Sequence, residues 1–487
     1  MHRRIYQYIR SNQYVILVSL LIFGCSVGPK YQKPEMQVPV QYKETRSQDG
    51  TDIWKTAMPR DEISRGKWWE LFGDAQLNSL EEKVNVSNQS LKAAEAQYRQ
   101  ARAQVRVDRA GYFPTITTNP SITTSKPSQN RSFNSQTGSP GSGQTTTYTL
   151  PADLSYEVDV WGRVRQTVNA SRANAQASAS DVEAVRLSLQ AELASDYFSM
   201  RALDAQKQLL DSTVTDFEKA LRLTQSRHDA GIASGADVAQ AETQLETTQA
   251  QAIDIGVQRA QFEHAIALLI GQSASTFSIP SEASKDLPPE IPVGLPSELL
   301  ERRPDIAAAE RRVAAANAQI GVSQTAFFPS FVLNATGGFE SNKISNWLSW
   351  PSHFWSIGPA LLQTIFDGGR RNAISEQTRA AYDETVANYR ESVLTAFQEV
   401  EDNLAAIRIL NEEAKVQDAA VRSAERSLQI SNDRYEGGII AYLEVLTAQT
   451  ALLENQRTMV ELQQRQMTAS VLLIKALGGG WSTQKSI

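Results

Sequence analysis

Arg227-His228-Asp229-Ala230-Gly231-Ile232 and Arg434-Tyr435-Glu436-Gly437-Gly438-Ile439 are one turn written twice, 207 residues apart. The same shift carries Val238 onto Val445, Ala241 onto Ala448 and Leu245 onto Leu452. Outward from the turn it carries Gly162-Arg163 onto Gly369-Arg370 and Gly271 onto Gly478. Further upstream the shift is 215: Ala103-Gln104-Val105 and Phe113-Pro114 match Ala318-Gln319-Ile320 and Phe328-Pro329. A length change confined to one place is how a surface loop behaves. The chain is therefore two copies of one supersecondary unit, which must bury their apolar faces against each other or against further copies.

Between Pro151 and Pro280, and again after Pro359, the 487-residue chain has no proline and is rich in Ala, Gln, Glu, Leu and Arg. Such composition favours helix. One helix is expected from Gly162 to Ala230 and its duplicate from Gly369 to Glu436, each roughly 100 Å long at about 1.5 Å per residue. Return helices are expected from about Ala236 to Ile270 and from Tyr442 to Leu477, the second stopped by Gly478-Gly479-Gly480. In the first long helix Ala173, Ala177, Ser180, Ala184, Leu187, Ala191, Ala194 and Phe198 alternate spacings of four and three, a seam of mostly small residues. In the second, Val386, Val393, Val400 and Ile407 recur every seven.

A plain coiled-coil stalk would explain these helices but not the segment before each of them. Leu154, Tyr156, Val158 and Val160 alternate with Asp153, Ser155, Glu157 and Asp159, which describes a strand with lipid on one face and water on the other. Its hairpin partner lies around Tyr112 to Ser125, with the Ser/Gly/Gln/Asn stretch Ser128 to Gln144 as the loop. The second copy supplies Phe331 to Glu340 and Phe354 to Phe366, near the interfacial aromatics Trp347, Trp350 and Trp355. Four strands cannot close a barrel, and open strand edges are not tolerated in lipid, so the chain must assemble. Eight strands would close on their own side chains. A conducting pore needs about twelve, which three chains supply.

At the N-terminus Arg3, Arg4 and Arg10 precede an apolar run from Val15 to Phe23, too short to span a bilayer and suited to a secretory signal. The only cysteine, Cys25, follows Ile22-Phe23-Gly24, the place of a lipoprotein processing site. A single cysteine excludes an intrachain disulfide. The net charge of -6 and the lack of a basic cluster in the mature chain argue against nucleic acid as partner and against a polybasic membrane patch. Only four histidines exist, and no P-loop, nucleophile elbow or metal-spaced cluster occurs, so an enzyme is not expected.

Several motifs in this order resemble the TolC-like outer-membrane efflux proteins, in the acylated branch serving tripartite pumps. They are Cys25-Ser26-Val27-Gly28-Pro29-Lys30-Tyr31, Trp68-Trp69 with Phe72 and Asp74, and Glu301-Arg302-Arg303-Pro304-Asp305-Ile306. Phe366-Asp367-Gly368-Gly369-Arg370 and Ala476-Leu477-Gly478-Gly479-Gly480-Trp481 complete the set. The resemblance implies an α+β protein: a homotrimer with a twelve-stranded transmembrane β-barrel, four strands per chain, continuous with a periplasmic α-helical coiled-coil barrel. It implies a lipoprotein signal peptide over 1–24 and a covalent lipid, palmitate among its acyl groups, on Cys25. An N-terminal anchor and equatorial segment would cover 25–72, repeat 1 73–272, an equatorial linker 273–303, repeat 2 304–478 and the C-terminal tail 479–487. No cofactor is implied beyond the lipid.

The function implied is a passive, gated exit channel in the outer membrane of a Gram-negative bacterium, exporting small molecules with a periplasmic adaptor and an inner-membrane pump. The resemblance puts adaptor docking at the duplicated turns: Arg227, Gly231, Ile232, Ser234 and Val238 in the first, Arg434, Gly438, Ile439 and Val445 in the second. It puts a periplasmic gate just past the second turn, at Leu443, Glu444 and Thr447. Relatives often carry Asp at the position of Thr447, which leaves Glu444 as the carboxylate that a trimer would turn into a ring. Two other readings remain open at this point, a protein-secretion channel and a periplasmic structural coiled-coil lipoprotein.

Overall fold

The computed structural model describes residues 27–36, 39, 42–44, 66–126, 128, 144–282, 288–289, 291 and 302–479. Cys25, the signal segment 1–24, most of the Ser128 to Gln144 loop and residues 480–487 lie outside them. Among the described residues the order is a 3-10 turn (Trp68–Phe72), α1 (Ala75–Ser87), α2 (Gln89–Ala110), β1 (Thr115–Thr118), β2 (Ser121–Ser125), β3 (Thr145–Val158), α3 (Arg163–Asp229) and α4 (Gly235–Leu269). Then follow α5 (Pro304–Thr325), β4 (Ser330–Ser341), β5 (His353–Leu362), α6 (Arg370–Glu436) and α7 (Tyr442–Ala476). The helices expected from composition are present within a residue or two at each end, and α3 and α6 are both 67 residues long. The chain divides into two compact units, 1–34, 99–176 and 310–387 against 35–98, 177–309 and 388–487.

The first unit holds the sheet, with order β1-β3-β4-β5 and β2 also on β3, every pairing antiparallel. Four strands were expected, and β1 and β2 are two pieces of one of them. The ladder breaks where Asn119 and Pro120 lie opposite Leu150 and Pro151, two prolines with no N–H to give. Across the central pair, Pro151 faces Gly338, where a Cβ would stand 2.1 Å from the Leu150 carbonyl oxygen. β5 ends at Leu362, four residues short of the expected Phe366. Among the described residues the sheet has two unpaired edges, β1 with β2 on one side and β5 on the other.

The acidic face expected on β3 is only partly one. The strand stops at Val158, so Asp159 lies beyond it and caps α3, accepting from the Val164 and Arg165 N–H groups at 2.9 Å each. Arg165 also pairs with Asp159 at 3.2 Å, and Arg163 with Glu157 at 2.6 Å. Local capping of a helix start thus uses the charges that strand alternation had assigned to water. Asp153 and Glu157 stay within the strand, and Asp153 accepts from Thr336 Oγ1 at 2.7 Å.

In the second unit Trp68, Trp69 and Phe72 are buried with Leu187, Leu193, Tyr197, Phe198, Ile266 and Ile474. The Phe72 and Phe198 rings meet at a tilt of 47°, their centres 4.9 Å apart. Asp74 caps α1 through the Gln76 and Leu77 N–H groups and accepts from Tyr197 Oη at 2.5 Å, which is why the aromatic pair is followed by an aspartate. Asp204 is fully buried and bonded to Arg201 at 3.2 Å and Arg259 at 2.7 Å, with Ser281 Oγ at 2.8 Å. Both arginines also donate to linker carbonyls, Arg201 to Pro280 and Arg259 to Ile279. A buried charge held by two partners and a hydroxyl is satisfied, and it pins the linker 279–282 onto α3 and α4.

Candidate functional site: the duplicated turns

Both long helices end in the same way because both carry glycine at the position that needs a left-handed residue. Gly231 has φ of 72° and Gly438 of 71°. Ile232 N donates to Arg227 O at 2.8 Å and Gly231 N to His228 O at 2.8 Å. Ile439 N donates to Arg434 O at 2.9 Å and Gly438 N to Tyr435 O at 3.0 Å. These are two Schellman ends. The residue after each glycine is driven outward: Ile232 is 74 % exposed and Ile439 69 %.

The turns differ in their next step. Ser234 caps α4 in a reciprocal capping box with Asp237, whereas Ala441, its counterpart 207 residues on, starts α7 without a side-chain cap. The first turn instead braces the second at its other helix end, the C-terminus of α6. Arg227 donates to the last carbonyls of α6, Tyr435 O at 2.7 Å and Glu436 O at 3.0 Å, and its guanidinium lies 4.2 Å from the Tyr435 ring centre. Tyr435 and Tyr442 pack with Ala241 and Val445 into a small core. Burial, with a smaller contribution from Tyr435, pushes the Tyr442 hydroxyl up to about 12.

Of the residues expected to dock a partner, Ile232, Ser234, Gly231, Arg434, Gly438 and Ile439 are exposed. Val238 is half-buried. Val445 is 2 % exposed and belongs to the core between the turns, and Arg227 is turned onto α6. The 207-residue register flagged both, yet their side chains hold the turns together rather than presenting a surface. The residues that sequence reasoning missed are Tyr435 and Tyr442; Tyr435 sits where the first turn has His228, so the repeat gave no sign of it. The expected gate residues Leu443, Glu444 and Thr447 are all exposed on the first turns of α7, Leu443 by 52 %, and Thr447 Oγ1 donates to Leu443 O at 2.8 Å.

Among the described residues no group of histidine, cysteine or carboxylate side chains is placed to hold a metal, and no helix is long and apolar enough to cross a membrane. A duplicated helical hairpin joined to strands with two open edges is the arrangement on which the family comparison bears. The family model described as "Outer membrane efflux protein" matches residues 80–272 and 295–479. The chain belongs to the outer membrane efflux protein family. It is 32 % identical over 470 residues to the probable efflux pump outer membrane protein TtgC of Pseudomonas putida, covering 96 % of this chain and 95 % of that one. To the pyoverdine export outer membrane protein OpmQ of Pseudomonas aeruginosa it is 30 % identical, covering 97 % and 98 %. The solved outer-membrane channel OprN superposes with a TM-score of 0.84 at 28 % identity, over 94 % of this chain and all of that one. Efflux proteins of this family are outer-membrane channels, not enzymes. This chain is accordingly an α+β outer-membrane efflux channel extending into the periplasm, the exit component of a tripartite system.

Proposed function

We propose that the chain works as a homotrimer whose twelve strands form one barrel, and that the two helical turns dock a periplasmic adaptor coupled to an inner-membrane pump. The observation that carries this reading is the pair of isoleucines, Ile232 and Ile439, exposed at equivalent points of two rigid, glycine-capped turns. An exposed branched aliphatic at a preformed turn is a low-entropy apolar anchor, and duplication gives a partner two equivalent places to bind. Two unpaired strand edges support assembly into a closed ring, because lipid leaves them no other partners.

The gate we assign to Leu443, Glu444 and Thr447, which in a ring of three copies would bring three carboxylates and three leucines together at the start of α7. Cys25 is assigned as the lipidation site on the processing motif alone. The cargo is assigned as small molecules rather than proteins. Relatives named for toluene and for pyoverdine export support that class, while the exact compound is set by the pump that loads the duct.

Photo-crosslinking in living cells tests the docking surface. Ser234 is the cap of α4, so the probe belongs at the exposed Ala236, two residues further on in the first turn of that helix. Capture of a periplasmic adaptor, identified by mass spectrometry, is the expected result. Capture of sister protomers alone, by protein correctly assembled in the outer membrane, would overturn the docking assignment.

A further inference from the structure

The two-repeat register says what a second copy of this chain must touch. Within one chain, β3 leads into α3 and α5 leads into β4, and β3 pairs with β4. The helices at that junction meet closely: a Cβ on Gly321 of α5 would stand 3.0 Å from the Gln166 side chain of α3. On the same side of α3, Ala170 and Ala173 are buried. On α5, Asn317 is buried and donates to Pro29 O at 3.0 Å, Glu310 accepts from Tyr31 Oη, and Gly28 comes up against Gly321. The N-terminal segment 28–31 thus fills what the small residues leave open.

Among the described residues, the two helix faces that correspond to this junction are exposed in a single chain. In the register, α6 stands for α3 at a shift of 207 and α2 for α5 at a shift of 215. Ala170 and Ala173 become Gln377 and Ala380, which are exposed along with Ala373, the counterpart of Gln166. Ala314, Asn317, Gly321 and Gln324 become Arg99, Arg102, Arg106 and Arg109, all exposed and falling at spacings of three, four and three along one face of α2. That stripe escaped the sequence analysis because its arginines are not contiguous. The sheet edges agree: α2 leads into β1 and α6 follows β5, the two unpaired edges, so closing β5 of one copy on β1 of the next brings α6 beside α2.

We propose that the arginine stripe of α2 docks onto the small-residue face at the start of α6 in a second copy of this chain, with Arg106 over Ala373 and Arg99 beside Glu384. The proposal rests on the trimer reading above and says where its copies join. The exchange of volumes is reciprocal. Inside the chain a glutamine on α3 reaches over a glycine on α5, whereas between copies an arginine on α2 reaches over an alanine on α6. No segment corresponding to 28–31 is needed there, because four long side chains occupy the groove. The two faces are different patches, so the contact is head-to-tail and generates a ring. The exposed Glu384 supplies the charge that a basic stripe needs if it is to leave water, which favours this face of α6 over others.

The test uses full-length protein extracted from outer membranes. Arg106→Cys with Ala373→Cys, treated with a short bis-maleimide, is expected to give covalent trimer as the main species on a denaturing gel, with neither single variant doing so. Glu384→Arg is expected to raise the fraction of monomer several-fold at a fixed detergent concentration, and adding Arg99→Glu is expected to restore the trimer. This charge exchange keeps the test decisive if the cysteine pair perturbs folding. Native mass spectrometry of the unmodified protein separates the two layers of the argument. Trimeric protein that neither cross-links nor responds to Glu384→Arg would overturn this seam and leave the trimer standing, while protein that is not trimeric overturns both.

Discussion

Asn88 donates its side-chain amide to the Leu269 carbonyl at 2.8 Å, closing the C-terminal end of α4 from the start of α2. Its counterpart in the second repeat is chemically different and does the same work. Arg303 donates to Ala476 O at 3.2 Å and so closes α7. Asn88 also accepts from Leu91 N at 2.9 Å, while Arg303 also pairs with Asp305 and Glu399. Truncating either residue orphans a helix-end carbonyl beneath buried side chains. Asn88→Ala is expected to cost about 1–3 kcal/mol. Arg303→Ala should cost more, because it also removes the partner of Asp305 and Glu399, but those carboxylates are 41 % exposed and rehydrate, so the added loss is about 1 kcal/mol. Denaturant unfolding followed by circular dichroism orders the two.

Next to those bonds, four glycines of the register divide into two classes. Gly231 and Gly438 adopt positive φ with nothing within 4 Å of a prospective Cβ, so Gly→Ala there meets only backbone strain, about 1 kcal/mol. Gly271 and Gly478 have the same backbone, but a Cβ would stand 2.5 Å from Ser87 O in one and 3.0 Å from Arg302 C in the other. Gly271→Ala is expected to destabilise severalfold more than Gly231→Ala. Equal losses in thermal unfolding would contradict the close approach.

Removing Arg227 is expected to loosen the opposite turn rather than its own. Arg227→Ala takes away the donors to Tyr435 O and Glu436 O and the cation over the Tyr435 ring. A loss of about 1 kcal/mol corresponds to roughly fivefold faster local opening. Hydrogen exchange, followed by mass spectrometry on peptides spanning 430–440, should show it, with peptides spanning 263–272 unchanged.

Asp196 gives the second unit a dependence on pH opposite to that of a salt-bridged acid. Burial, and then repulsion from Glu192, raise its carboxyl from 3.8 to about 6. The native state therefore binds the proton more tightly than the unfolded chain, and stability falls as pH rises from about 4 to about 6. Asp196→Asn is expected to flatten that window and to stabilise the protein at neutral pH by on the order of 1 kcal/mol, after discounting for the exposed part of the side chain. Stability measured at pH 4, 5, 6 and 7 for both proteins checks the sign.

Asp204→Asn would leave the buried Arg201 without its anion and Arg259 with Glu263 alone, at 3.5 Å. A loss of roughly 3–5 kcal/mol is expected, together with release of the linker at 279–282. Limited proteolysis of that linker is the direct readout.

Much of the architecture was legible because its signals are local. The turns at Gly231 and Gly438 were placed by the repeated glycine-containing segment, α3, α4, α6 and α7 by the absence of proline, and α3 and α6 also by helical periodicity. β3 was found by alternation, but its end was misplaced at Val160, since nothing local distinguishes Asp159 as a strand residue from Asp159 as the cap of α3. The break between β1 and β2 depends on Pro120 and Pro151 falling at adjacent rungs of one ladder, Pro120 opposite Leu150 and Pro151 opposite Asn119, a relation between strands that no single window contains.

For the site, the repeat marked the right segment without sorting its residues. Ile232 and Val445 are both apolar residues of the duplicated turns, yet Ile232 is exposed and Val445 is buried against Tyr435 and Tyr442. Sequence by itself determined the two-copy chain, its helices and the positions of its reversals, because backbone propensity and period are written residue by residue. Tertiary structure alone decided which copies of a repeated residue are used inward: Asn88 and Arg303 reach equivalent carbonyls with unlike side chains, and Arg106 is exposed where Gly321 is buried. Those outcomes depend on which helix lies alongside, and helices brought together from distant parts of the chain leave no local trace in it.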